Sequence, residues 1–81
     1  MRETAIRSML ARHGQLSRPV EDLDVDSNLY SAGLSSHASV NVMLALEEEF
    51  DIEFPNEALA KSTFESISAI ARTIERITNG W

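Results

Sequence analysis

Apolar residues recur along this chain at spacings of three and four, and no useful length of it alternates apolar with polar residues as a half-buried strand would. The expected class is all-α. From about Glu3 to His13, Ile6, Met9 and Leu10 fall on one face with His13 at its margin, and Gly14 is suited to end that first helix. A second helix begins at Ser35 or Ser36, where a serine hydroxyl can cap the free N–H groups of the first turn, and runs to about Phe50. Its stripe is Val40, Met43, Leu44, Leu46 and Phe50, with Glu47, Glu48 and Glu49 on exposed flanks. Pro55 then breaks the chain, and Asn56 caps a third helix through Lys61 that is little more than a turn. Ser66 precedes Ile67, Ile70, Ile74 and Ile77, a fourth amphipathic helix ending near Asn79 and Gly80.

Residues 15–35 hold Pro19, four acids, Ser27, Asn28 and Gly33, and read as a long connection. Val20, Leu23, Val25, Leu29, Tyr30 and Leu34 give it apolar anchors over a helical core. The expected architecture is a four-helix bundle with a long loop between its first two helices and a short third helix. The expected core is Ile6, Leu10, Leu29, Phe50, Ile52, Phe54, Leu59, Phe64, Ile67, Ile70 and Ile74. Tyr30 reads as a wedge under the loop, and Trp81 as a mobile tail.

Length narrows the function. The 81 residues suit one domain over 1–81, and a chain this short buries only about 60 % of its unfolded surface, which leaves little room for a deep pocket. Its chemistry is expected at the surface. The net charge of -6 is unevenly spread: residues 19–60 carry ten acids and no Lys or Arg, whereas residues 1–18 carry four Arg against Glu3. Such an acidic block repels phosphate backbones and attracts basic protein surfaces, so no nucleic-acid partner is expected. The longest apolar run, Val42 to Leu46, is too short to span a bilayer, and no signal-like stretch opens the chain. A monomeric cytoplasmic protein without a membrane partner is the expectation. Cysteine is absent, which removes disulfides, thiolate metal sites and any thioester on the protein's own sulfur.

Spacing disposes of three candidate chemistries. A calcium loop starting at Asp24 would place Leu29 at its glycine position and Ser35 at its bidentate glutamate. His13 and His37 lie on different elements with no third ligand beside them, which speaks against zinc. Ser36 and His37 are adjacent on a helix and cannot face one another as nucleophile and base, and no orienting carboxylate accompanies them. What remains is Gly33-Leu34-Ser35-Ser36-His37, a glycine turn that delivers serines to the start of an acidic-flanked helix.

With its surroundings, Leu29-Tyr30-Ser31-Ala32-Gly33-Leu34-Ser35-Ser36, this segment resembles the acyl and peptidyl carrier proteins, in which a similar run precedes a modified serine. The continuation from Val40 to Phe54 and Pro55 is similar to that family's recognition helix and the loop after it, and the likeness extends over nearly the whole chain. The resemblance implies that a phosphopantetheinyl transferase moves 4'-phosphopantetheine from coenzyme A onto a serine, and that the arm's thiol then carries cargo as a thioester. Matched to the family's spacing backward from Glu47-Glu48-Glu49-Phe50, the resemblance puts the modified residue at Ser36, and residue-for-residue matching to the family's recognition helix implies a partner surface of Ser35, His37, Val40, Met43 and Glu47. Many carriers have Asp and Leu where this chain has Ser35 and His37, which departs from the fatty-acid type. Gly33-Leu34-Ser35-Ser36 and the leading Gly14-Gln15-Leu16 are most similar to stand-alone carriers of an activated amino acid. Those are loaded by a ligase resembling a truncated seryl-tRNA synthetase and discharge to a downstream acceptor enzyme. The alternatives are an acyl carrier for polyketide or lipid assembly and an unmodified acidic helical adaptor. None of these readings makes the chain an enzyme.

Overall fold

The computed structural model describes residues 2–80; Trp81, read above as a tail, lies outside the described residues. Three α-helices, α1 (Arg2–His13), α2 (Ser36–Phe50) and α3 (Ile67–Thr78), alternate with 3-10 turns at Val20–Asp22, Asn56–Ala58 and Lys61–Phe64. The helix starts are those the serines mark. Ser35 Oγ accepts from the Ala38 N–H at 3.0 Å, and Ser66 Oγ accepts from the Ala69 N–H at 3.0 Å. α1 ends where the Gly14 N–H donates to the Leu10 carbonyl at 2.8 Å, although the left-handed residue that follows is Gln15, at φ 53°. α2 ends on a left-handed Asp51, whose N–H returns to the Glu47 carbonyl.

The expected third helix is replaced by two 3-10 turns, so the count is three helices and not four. Pro55 opens the segment in an extended conformation, Leu59 leaves the helical region (φ -86°, ψ 60°) and Ala60 is fully extended. Each turn therefore closes through i to i+3 bonds, Ala58 N–H to Pro55 O at 2.9 Å and Thr63 N–H to Ala60 O at 3.0 Å, and neither grows into an α-helix.

Ile6, Leu10, Leu29, Val42, Leu46, Ile70 and Ile74 are wholly buried, and together they join the three helices to the long loop. Burying each such side chain is worth about 1.5–3 kcal/mol. Phe54 and Phe64 close the turn-bearing end, their ring centroids 5.7 Å apart. The second half of the loop over 14–35 is pinned twice to the segment around the start of α3, by Leu29 N–H to Glu65 O at 2.7 Å and by Ser68 N–H to Val25 O at 2.9 Å.

Three expectations about the core are corrected. α2 buries Ala38, Val42 and Leu46, an i, i+4, i+8 row, while Val40 and Leu44 stand about half exposed. Alanine at 38 supplies a close approach that a hydrophobicity stripe undervalues, and residue 40 lies 200° around the helix from it. Leu59, expected in the core, is 51 % exposed, because the break between the two turns points it outward; Ala58 takes the buried position instead. Phe50 and Ile52 are only partly buried, packed against the core from its edge.

Candidate functional site

Gly33 sets the approach to the site. Its φ of +108° is disfavoured for L side chains, and a Cβ there would stand 2.8 Å from Ser17 N and 3.0 Å from Ser17 Oγ. The close fit exists because Ser17 donates both its N–H and its Oγ–H to the Ala32 carbonyl, at 2.9 Å each, drawing the loop onto the end of α1. From this turn Leu34 drops into the core, Ser35 becomes the cap, and Ser36 emerges exposed as the first residue of α2.

Among the described residues, none takes a hydrogen bond from the Ser36 hydroxyl, whereas the neighbouring Ser39 hydroxyl is spent on the Ser36 carbonyl at 2.7 Å. A helix start presents unpaired N–H groups and the positive end of the backbone dipole, both of which favour an anion attached at that hydroxyl. Ser36 also forms one wall of a surface groove of about 360 Å³ that lies between α2 and the 3-10 turns. Val40 and Met43 continue that wall, and Leu59, Lys61 and Tyr30 face it. The groove lies outside the closed helical core, since Ser36, Val40, Leu59 and Lys61 are all exposed.

Tyr30 ties the two sides of this groove together. Its hydroxyl donates to the Lys61 carbonyl at 2.8 Å, and the Lys61 ammonium sits over the ring, 4.9 Å from its centroid. Partial burial, with the Glu65 carboxylate nearby, raises the phenol pKa above its ordinary value of 10.0. This is the wedge expected of Tyr30, placed now at the rim of the site.

The other expected site residues divide. Ser36, Val40 and Met43 share one face of α2 and meet at the groove. His37 is exposed one step around the helix and does not line it. Ser35 is engaged as the cap. Glu47 lies on the same row one turn beyond Met43, half-buried, and its Oε2 accepts from the Phe54 N–H at 2.8 Å, so this carboxylate secures the corner after α2. Lys61 and Leu59 were not anticipated here. The signal for Lys61 was available, since it is the sole Lys or Arg between Arg18 and Arg72. No cluster of His, Cys, Asp or Glu among the described residues could hold a metal ion, and no described helix is long and apolar enough to cross a membrane.

Residues 5–74 match the family model described as a phosphopantetheine attachment site. The chain is 51 % identical over 75 residues to the aminoacyl carrier protein of Agrobacterium fabrum, covering 93 % of this chain and 90 % of that one. Among solved structures, a carrier protein from Agrobacterium tumefaciens, complexed with an engineered Bradyrhizobium japonicum glycine:[carrier protein] ligase and ATP, superposes with a TM-score of 0.92 at 48 % identity, over 95 % of this chain and all of that one. A holo acyl carrier protein from Nitrosomonas europaea gives a TM-score of 0.84 at 30 % identity, over 98 % of both chains. The family match over residues 5–74 and these relatives place the chain in the phosphopantetheine-attachment family and, within it, among the aminoacyl carrier proteins, which carry cargo on a phosphopantetheine arm and are modified and loaded by other enzymes.

Proposed function

We propose that residues 1–81 act as one carrier domain whose phosphopantetheine is attached to Ser36. The observation that carries this is the position of Ser36: exposed, first in α2, its hydroxyl unused within the described protein, and opening onto the groove. Its oxygen gains a bond to phosphorus as the pyrophosphate link of coenzyme A breaks, the nucleotide leaves, and the hydroxyl proton passes to a base on the phosphopantetheinyl transferase. When bound, the arm supplies the thiol that a cysteine-free chain lacks, and an amino acid is held on it as a thioester. Ser35 keeps the helix start rigid beneath that attachment through its cap.

Val40, exposed beside Ser36, with Met43 behind it and His37 on the adjoining side, makes the surface offered to the loading enzyme, with Ser35 and Glu47 at its ends. The complex formed by the Agrobacterium carrier supports an amino acid:carrier protein ligase, of the kind resembling seryl-tRNA synthetase, as that enzyme. A downstream acceptor then takes the amino acid. The wholly buried packing of Val42, Leu46, Ile70 and Ile74 favours aminoacyl over long acyl cargo, since no aliphatic chain enters a closed core.

Incubation with coenzyme A and a broad-specificity transferase, followed by intact-protein mass spectrometry, tests the assignment. Wild type and Ser35→Ala are expected to gain one phosphopantetheine, and Ser36→Ala to gain none while keeping its stability within about 0.5 kcal/mol, as an exposed side chain should. Full modification of Ser36→Ala would move the site elsewhere. No modification of any of the three would favour the unmodified adaptor.

A further inference from the structure

We propose that Lys61 is the arm's counterion: once Ser36 carries its phosphodiester, the Lys61 ammonium pairs with that anion across the groove and holds the first part of the arm against Val40 and Leu59. The inference rests on the assignment of Ser36 and goes beyond it. Four observations support it. Ser36 and Lys61 line the same groove from opposite elements, α2 and the 3-10 turn Lys61–Phe64. Lys61 is the one Lys or Arg between residues 19 and 71, in a stretch whose acids outnumber it eleven to one once Glu65 is added to the ten of residues 19–60. No carboxylate among the described residues pairs with it, so its charge is held only by the Tyr30 ring. Finally, Val40 and Leu59 are half-exposed apolar side chains on the rims of this groove, a surface that suits the dimethyl-bearing stem of pantetheine.

The placement is built by the fold. Tyr30 OH anchors the Lys61 main chain through its carbonyl, and the ring face holds the ammonium at the rim, so the side chain is ordered before any anion arrives. An ammonium over an aromatic face keeps N–H donors to spare, and a phosphodiester is a stronger acceptor than a ring. The same cation disfavours the α-ammonium of an aminoacyl cargo from folding back into the groove. The arm is therefore seated at its base and open at its loaded end.

Because the Tyr30 anchor goes to the main chain, Lys61→Gln removes the charge and leaves the turn intact. The experiment compares apo and holo forms of wild type, Lys61→Arg and Lys61→Gln by NMR, after mass spectrometry has established that each is fully modified. In wild type, modification should shift the Lys61 side-chain resonances and give cross-peaks between the arm's methyl groups and those of Val40 and Leu59. Lys61→Arg should keep these cross-peaks. Lys61→Gln should weaken them by about threefold, the factor expected for loss of an exposed ion pair, and added salt should weaken them in wild type alike. Modified protein with an unmoved Lys61 and equal cross-peaks in Lys61→Gln would overturn the proposal while leaving Ser36 in place. Absence of modification at Ser36 would remove the anion and overturn both.

Discussion

Glu47 is the residue whose position changes most in meaning between sequence and structure. On the family pattern it belongs to the partner surface, and its row on α2 agrees with that. Its Oε2, however, accepts the Phe54 N–H of a part-buried backbone, and its carbonyl accepts from both Asp51 and Ile52. Hydrogen bonds to charged groups are worth about 1.5–3 kcal/mol, and a donor left unpaired adds a desolvation cost. Glu47→Ala should therefore lower unfolding stability by about 1–2 kcal/mol in urea titration, while Glu47→Gln, which keeps an acceptor oxygen, should lose less than half of that. A Glu47→Ala protein as stable as wild type, but slower to load, would return this residue to docking alone. Such a contact spans seven residues and turns a helix corner, so no local spacing could have revealed it.

At the scale of elements, the exposed and buried faces of α2 make a sharp comparison. Val42→Ala removes two methyl groups from a wholly buried site and should cost about 1–3 kcal/mol, toward the low end of large-to-small core changes. Val40→Ala, half exposed, should stay within about 0.5 kcal/mol of wild type yet slow loading by the ligase. Thermal or denaturant unfolding of the two variants, with loading kinetics, checks both halves. The three helices and their serine caps at Ser35 and Ser66 were legible because capping and the 3.6-residue period act within one turn. The face of α2 was misjudged because alanine carries little hydrophobic weight of its own, although Ala38 is almost completely buried. The segment after Pro55 defeated the same reasoning. Whether a short run becomes α-helix or paired 3-10 turns depends on where Ala58, Thr63 and Phe64 must reach the core, and that is a tertiary demand. The start of α2 at Ser36 was legible, since glycine turn, cap and helix start lie within a few consecutive residues.

Across the whole molecule, charge sets stability and partner choice against one another. Ten acids and no Lys or Arg occupy residues 19–60, Glu47, Glu48 and Glu49 crowd the C-terminal end of α2 where the dipole is already negative, and the last turn of that helix contains no basic residue. The ion pair Arg7–Glu3 lies within α1 and does nothing for the acidic side. Self-repulsion of this kind destabilises the folded state and is screened by salt, whereas attraction to a basic docking surface is screened by the same ions. The two effects must respond oppositely. Raising NaCl from about 20 mM, where the screening length exceeds 20 Å, to about 300 mM should lift the melting temperature by a few degrees. Over the same range kcat/KM for modification at Ser36 should fall severalfold, chiefly through KM, because steering acts on encounter and not on the transferred bond. Calorimetry and the time course of the mass gain read the two arms on one sample. A modification rate indifferent to salt, with the stability rise intact, would mean that partners recognise the groove beside Ser36 and not the acidic field around it.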